Sequence, residues 1–234
     1  MAKAQGLGQY SGRLTVAEIA AGINAAKENA ARLHHDSEQL LNAGSFASAT
    51  ALAILAIEEA GKESVLRELA VMKTDKDRAA CWKRYRTHTA KNVLAFFLDR
   101  VASGARTLEA FRPLFEPGAE FPGLAEHLKQ VALYTDCLGK KHWSKPTEVI
   151  TESLARSMVL AARAVATGKS LVTEREVALW QEHMGPVWGT GLSAMKTALV
   201  NWNRALVAEG IKPSEKAEGM EAFVWGLGSP GRAR

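Results

Sequence analysis

Six side chains in two adjoining stretches have the types and spacing to do chemistry. Glu58, Glu59 and Lys62 interrupt Ala51–Leu69, ALAILAIEEAGKESVLREL, the most apolar run of the chain. Arg84, His88 and Lys91 follow at i, i+4 and i+7. At roughly 100° per residue, Leu52, Leu55, Glu59, Lys62 and Leu66 share one helical stripe, and Glu58 falls beside Ile54 and Val65. An unpaired charge in an apolar interior costs several kcal/mol, so these groups must find partners there. The sharper reading of the set is that the basic face of Arg84, His88 and Lys91 meets the Glu58, Glu59 and Lys62 site of the preceding helix, or that of a second subunit. Two plainer readings stay open. Glu58–Lys62 and Glu59–Lys62 have the spacings of ion pairs within one helix. Arg84, His88 and Lys91 have the spacing of a solvated face opposite the stripe of Trp82, Tyr85, Thr89, Val93 and Phe96.

The elements that would position these groups are helical. The chain has 234 residues, of which 47% are hydrophobic, enough to bury a sizeable core. Prolines number seven, and alternating β-branched runs are absent. The expected class is all-α, a bundle of about six long helices. Residues 1–14 read as a flexible arm, 15–210 as a single bundle domain and 211–234 as a tail. Helices are expected at about 15–42, with Thr15 and Glu18 in capping-box spacing, and at 45–72, with Ser45 as the N-cap. A third is expected from Thr74 or Asp75 to Ser103. Residues 105–123 hold Pro113, Pro117 and Pro122 and form a long irregular connection. Further helices follow at about 124–137, 147–167 and 173–208, the last broken near Gly185–Pro186. Phe223, Val224 and Trp225 in the tail are expected to dock or to serve as a contact element.

Phosphate loops of the GxxxxGK[ST] type, GxSxG, HExxH and CxxC are all missing, which leaves hydrolase and zinc readings without support. Cys81 and Cys137 lack a metal spacing, and no cofactor or metal is expected. With no apolar stretch of about 18 residues and no leader pattern, the expectation is a reduced, cytoplasmic protein without a membrane partner. The net charge of +5 is compatible with nucleic acid without requiring it. His34 and His35 read as surface or cap residues. His127, His142 and His183 read as structural or solvated, and Trp143 as an indole packed into the turn that runs from Tyr134 and Asp136 to Pro146.

AILAIEEAGK (53–62), WKRYRTHTAKN (82–92), LYTD (133–136) and HWSKP (142–146) together resemble the AbiV-type abortive-infection proteins of bacteria, grouped with the HEPN superfamily. The resemblance covers about residues 20–165 and matches the family motifs at Glu58, Glu59, Lys62, His88 and Lys91. It implies an all-α bundle, often a homodimer, that acts in defence against bacteriophage. Many HEPN proteins are metal-independent ribonucleases, with a wider arginine–histidine spacing than the three residues between Arg84 and His88 here. On this resemblance the expected function is an anti-phage effector that blocks translation as a metal-independent ribonuclease, with tRNA, mRNA or rRNA as partner. His88 would then be the base for the 2′-hydroxyl, with Lys91, Arg84 or Lys62 holding the phosphate and Glu58 or Glu59 orienting the cations and fixing the histidine's tautomer. The alternative is a non-catalytic helical module that inhibits translation by binding a partner. In that case a phage-encoded protein would activate it, and residues 105–123 and 223–225 would be contact elements.

Overall fold

A computed structural model describes residues 8–87, 107–111, 121–138, 141–168 and 170–226. Helix α1 (Val16–Asn42) starts at a capping box: the Thr15 hydroxyl accepts from the Glu18 amide, and the Glu18 carboxylate accepts from the Thr15 amide. Gly44, at φ 76°, turns the chain out of α1, a left-handed conformation that favours glycine. Helix α2 (Phe46–Val71) then runs back along α1. Ser45 occupies the N-cap position without a side-chain cap bond. Helix α3 (Asp75–Arg86) is capped by Thr74, whose hydroxyl accepts from the Asp77 amide.

The long third helix expected to reach Ser103 ends instead at Arg86. Thr87 is extended (φ −87°, ψ 129°), and its hydroxyl donates to the Lys83 carbonyl. Lys83, Arg84 and Arg86 crowd the last turn, where cations favour the negative end of the helix dipole. The continuous face proposed for Arg84, His88 and Lys91 is therefore interrupted at Thr87. His88 and Lys91 lie outside the described residues, as does most of the 105–123 connection.

A short helix α4 (Leu108–Phe111) and helix α5 (Phe121–Leu133) follow. The helix expected to end at Cys137 stops at Leu133 because Asp136 to Leu138 enter strand β1, which pairs antiparallel with β2 (His142–Ser144). The Asp136 carboxylate accepts from the Cys137 amide, a local bond that competes with the helix. Trp143 is not packed into this turn: it is 63% exposed. The next expected helix is split at Ile150 into α6 (Pro146–Val149) and α7 (Glu152–Ala166), since the extended Thr151 caps α7 through the Leu154 amide. Helix α8 (Glu174–Met184), a 3₁₀ turn (Gly185–Val187) and α9 (Leu192–Ala208) reproduce the expected break, and α10 (Glu215–Trp225) closes the described chain. Val224 is buried, and α10 packs against α9.

Helix α2 is the centre of the bundle, touching α1, α3, α5, α7 and α8. Its small residues Ala49, Ala53 and Ala56 let α1 and α7 approach through Ala30, Leu33, Val159 and Ala162. Its other end joins Leu66 and Leu69 to Ile19 and Ile23 of α1, Trp82 of α3, Val177 and Trp180 of α8, and Trp202 and Leu206 of α9. A third cluster seats Ala47 and Ala51 against Ala132 of α5 and Ala155 of α7. Among the described residues, no helix is long and apolar enough to cross a membrane.

Candidate functional site

The candidate residues separate into a sealed part and an open edge. Glu58 sits on the face of α2 that α5 covers. Its Oε1 accepts from Lys129 Nζ at 2.8 Å, with both residues buried. Lys129 also reaches Glu126 Oε2, one turn earlier on α5, at 2.7 Å. Burial disfavours the Lys129 ammonium, yet the bonds to Glu126 and Glu58 outweigh it and hold the pKa above the ordinary lysine value. Glu58 thus finds its cation on another helix.

Glu59 does pair with Lys62 within α2, at 2.5 Å, and both are half-buried. Lys62 Nζ lies 5.2 Å from the centre of the Tyr85 ring, within range of a cation–π contact to the last turn of α3. Arg84, on the same turn, pairs with Glu68 of α2, and this hydrogen bond raises its pKa despite partial burial. Beneath them Cys81 is fully buried. Burial first, and then the Glu68 carboxylate, push its thiol up to about 12 against the opposing effect of Arg84, so it is no nucleophile at neutral pH. Lys62, Glu59, Tyr85, Arg84 and Glu68 therefore line the seam between α2 and α3. Arg84 also lines a cleft of about 320 Å³ with Glu68, Lys73, Asp77 and Trp188.

Several partners escaped the sequence reading. Lys129 shares the apolar stripe of α5 with Ala132, and a lysine on such a stripe is the signal that marks it. Arg67 is buried on α2. Its Nη2 donates to Glu63 at 2.9 Å and to the buried Glu176 of α8 at 2.6 Å, and its guanidinium lies 5.1 Å from the Trp202 ring centre. His34 is buried rather than superficial, facing Glu38 at 3.5 Å, and among the described residues its Nδ1 has no hydrogen-bond partner. Among the described residues, no group of three or more His, Cys, Asp and Glu side chains converges as a metal site.

The fold is thus an all-α bundle whose central helix carries buried ion pairs, with cations at the seam to the following helix. A family model for HEPN proteins, described as AbiV, matches residues 18–167, and the chain belongs to that family. No curated protein and no solved structure matches the chain. The matched span runs from the first turn of α1 to the end of α7 and contains Glu58, Glu59, Lys62, Arg84, His88 and Lys91. Helices α8 and α9 lie beyond it, yet Val177, Trp180, Trp202 and Leu206 share one core with α1 and α2.

Proposed function

We propose that this AbiV-family chain is a cytoplasmic anti-phage effector that blocks translation by cutting RNA without a metal, and that it works as a homodimer. The observation that carries the reading is the α2–α3 seam. Lys62 and Arg84 come from different helices to one edge, directly before His88 in the chain. His88 takes the proton of the 2′-hydroxyl, whose oxygen attacks the adjacent phosphorus. Lys62, Arg84 and Lys91 stabilise the charge on the phosphorane, and as the P–O5′ bond breaks the departing oxygen takes a proton from solvent water. The products carry a 2′,3′-cyclic phosphate and a 5′-hydroxyl. Glu59 orients Lys62, and Glu68 takes the role first assigned to Glu58, orienting Arg84.

A second reading is favoured by the Glu58–Lys129 pair, which is sealed inside the bundle, and by the carboxylate partners of both Lys62 and Arg84. There the polar groups specify the packing, and the chain inhibits translation by binding a partner once a phage protein activates it.

Incubating the purified chain with total RNA and tRNA in EDTA, beside a His88→Ala variant, separates the two. Cleavage to 2′,3′-cyclic phosphate ends that vanishes in the variant supports the nuclease. Intact RNA with both proteins, even after addition of lysate from phage-infected cells, supports the binding module.

A further inference from the structure

The cleft beside Arg84 has walls from four segments of the chain. The C-terminal end of α2 supplies Glu68, the loop after it supplies Lys73, α3 supplies Asp77 and Arg84, and the turn after the 3₁₀ segment supplies Trp188. Its volume of about 320 Å³ is at the lower end of small-ligand sites, of roughly 300–1,000 Å³. Trp188 meets Trp180 in an edge-type contact, with ring centres 6.5 Å apart. Gly189 lines the cleft beside it at φ 75°, a conformation that side chains rarely adopt. An indole on the wall of a cleft can stack a nucleobase, because every base has a π-face.

The polar groups narrow the ligand further. Asp77 accepts from the Thr74 hydroxyl through Oδ2 at 2.6 Å, and Glu68 accepts from Arg84. Ionised carboxylates only accept, so they favour a base edge that donates through an amino group. Cytosine, guanine and adenine carry that amino group, and uracil does not. The guanidinium of Arg84 has five N–H donors in a fixed fork, which one carboxylate contact does not exhaust, and Lys73 stands exposed nearby. Cation and acceptor therefore serve different parts of one nucleotide.

We propose that this cleft is a base-binding subsite for one single-stranded nucleotide: an amino-bearing base stacks on Trp188, its amino group bonds to Glu68 or Asp77, and Arg84 and Lys73 contact its phosphate. The proposal deepens the ribonuclease reading and rests on it for its biological substrate. It places the nucleotide next to the α2–α3 seam and gives RNA cleavage a base preference at one flanking position.

The test is calorimetric titration of CMP, GMP and UMP into the full-length chain and into Trp188→Ala, Trp188→Phe and Asp77→Asn variants. CMP and GMP are expected to bind more tightly than UMP. Trp188→Ala should weaken them about tenfold or more, as loss of one stacked base does, and Trp188→Phe by no more than about threefold. Asp77→Asn should narrow the gap to UMP without abolishing binding, which keeps the proposal testable if Trp188→Ala fails to fold. Absence of CMP and GMP binding to the native chain at millimolar concentration overturns the subsite, as does equal binding of UMP. RNA cleavage with nucleotide affinity unchanged in a folded Trp188→Ala variant overturns it too, while leaving the ribonuclease standing. Tight CMP or GMP binding lost in Trp188→Ala, with RNA left intact, keeps the subsite and removes the ribonuclease.

Discussion

At the scale of single residues, His34 carries a pH dependence that its position dictates. Its side chain is enclosed between α1 and the bundle, only 4% of the residue's surface being exposed. Burial is the main influence on its pKa, Glu38 opposes it, and Arg163 and His35 reinforce it, so the net direction is downward. The sign follows from proton binding. A depressed pKa in the folded chain means that the unfolded chain takes up the proton first as pH falls. The contribution is therefore complete above the ordinary histidine pKa near 6.5 and is lost as pH drops through the folded value. Each unit of depression corresponds to about 1.4 kcal/mol of lost stability at the acid end. Urea midpoints measured at pH 7.5 and 5.5 should fall toward acid for the native chain, and His34→Leu should flatten that fall. An equal fall in the variant would remove His34 from the account.

At the scale of elements, Glu58 and Lys129 tie α2 to α5, and the energetics of the tie are asymmetric. Both charges have left water, so their attraction largely replaces what desolvation costs, and removing one partner strands the other. Lys129→Met or Glu58→Gln alone should cost about 3–5 kcal/mol in chemical denaturation, whereas Glu58→Leu with Lys129→Met should lie close to the native stability. A double variant as unstable as the singles would show that the pair contributes more than mutual neutralisation. The same pair shows where a sequence is legible. Charges inside an apolar run announced that α2 holds a polar site, and Thr15 and Thr74 marked helix starts through local chemistry that acts within a few residues. Thr87, Asp136 and Ile150 each end or split a helix without a glycine or proline at the break, so periodicity carried the expected helices through them. Lys129 stands 71 positions from Glu58. No spacing rule joins residues so far apart, because only the packing of α5 on α2 brings them together. Trp188 was visible as an aromatic residue, but not as the wall of a cleft beside Arg84.

At the scale of the whole molecule, the net charge is +5, and several cations of the described surface face carboxylates. On the described surface Arg32 meets Asp36 at 3.0 Å, Arg156 meets Glu152 at 2.6 Å, and Arg204 meets Glu221 at 2.6 Å. Arg175 reaches both Glu182 and Glu209 at 2.7 Å. Exposed pairs of this kind contribute little to stability, with a median near 0–1 kcal/mol. Each such pair also lowers the attraction that a distant phosphate feels from its cation. On the proposed ribonuclease reading, RNA affinity rests on Lys62 and Arg84 of the seam, which exchange part of their bonds to Glu59 and Glu68 for phosphate, on Lys73 of the cleft, and on Lys91 further along the chain. Single-stranded RNA releases roughly 0.7 counterions per neutralised phosphate, so four contacts give a slope of log affinity against log salt near −3. Fluorescence anisotropy of a labelled oligoribonucleotide across about 50–200 mM salt measures that slope. Arg84→Gln should flatten it by about 0.7, because one phosphate contact is gone. A native slope near −6, unchanged in Arg84→Gln, would place the RNA footprint on a broader basic surface than the α2–α3 seam provides.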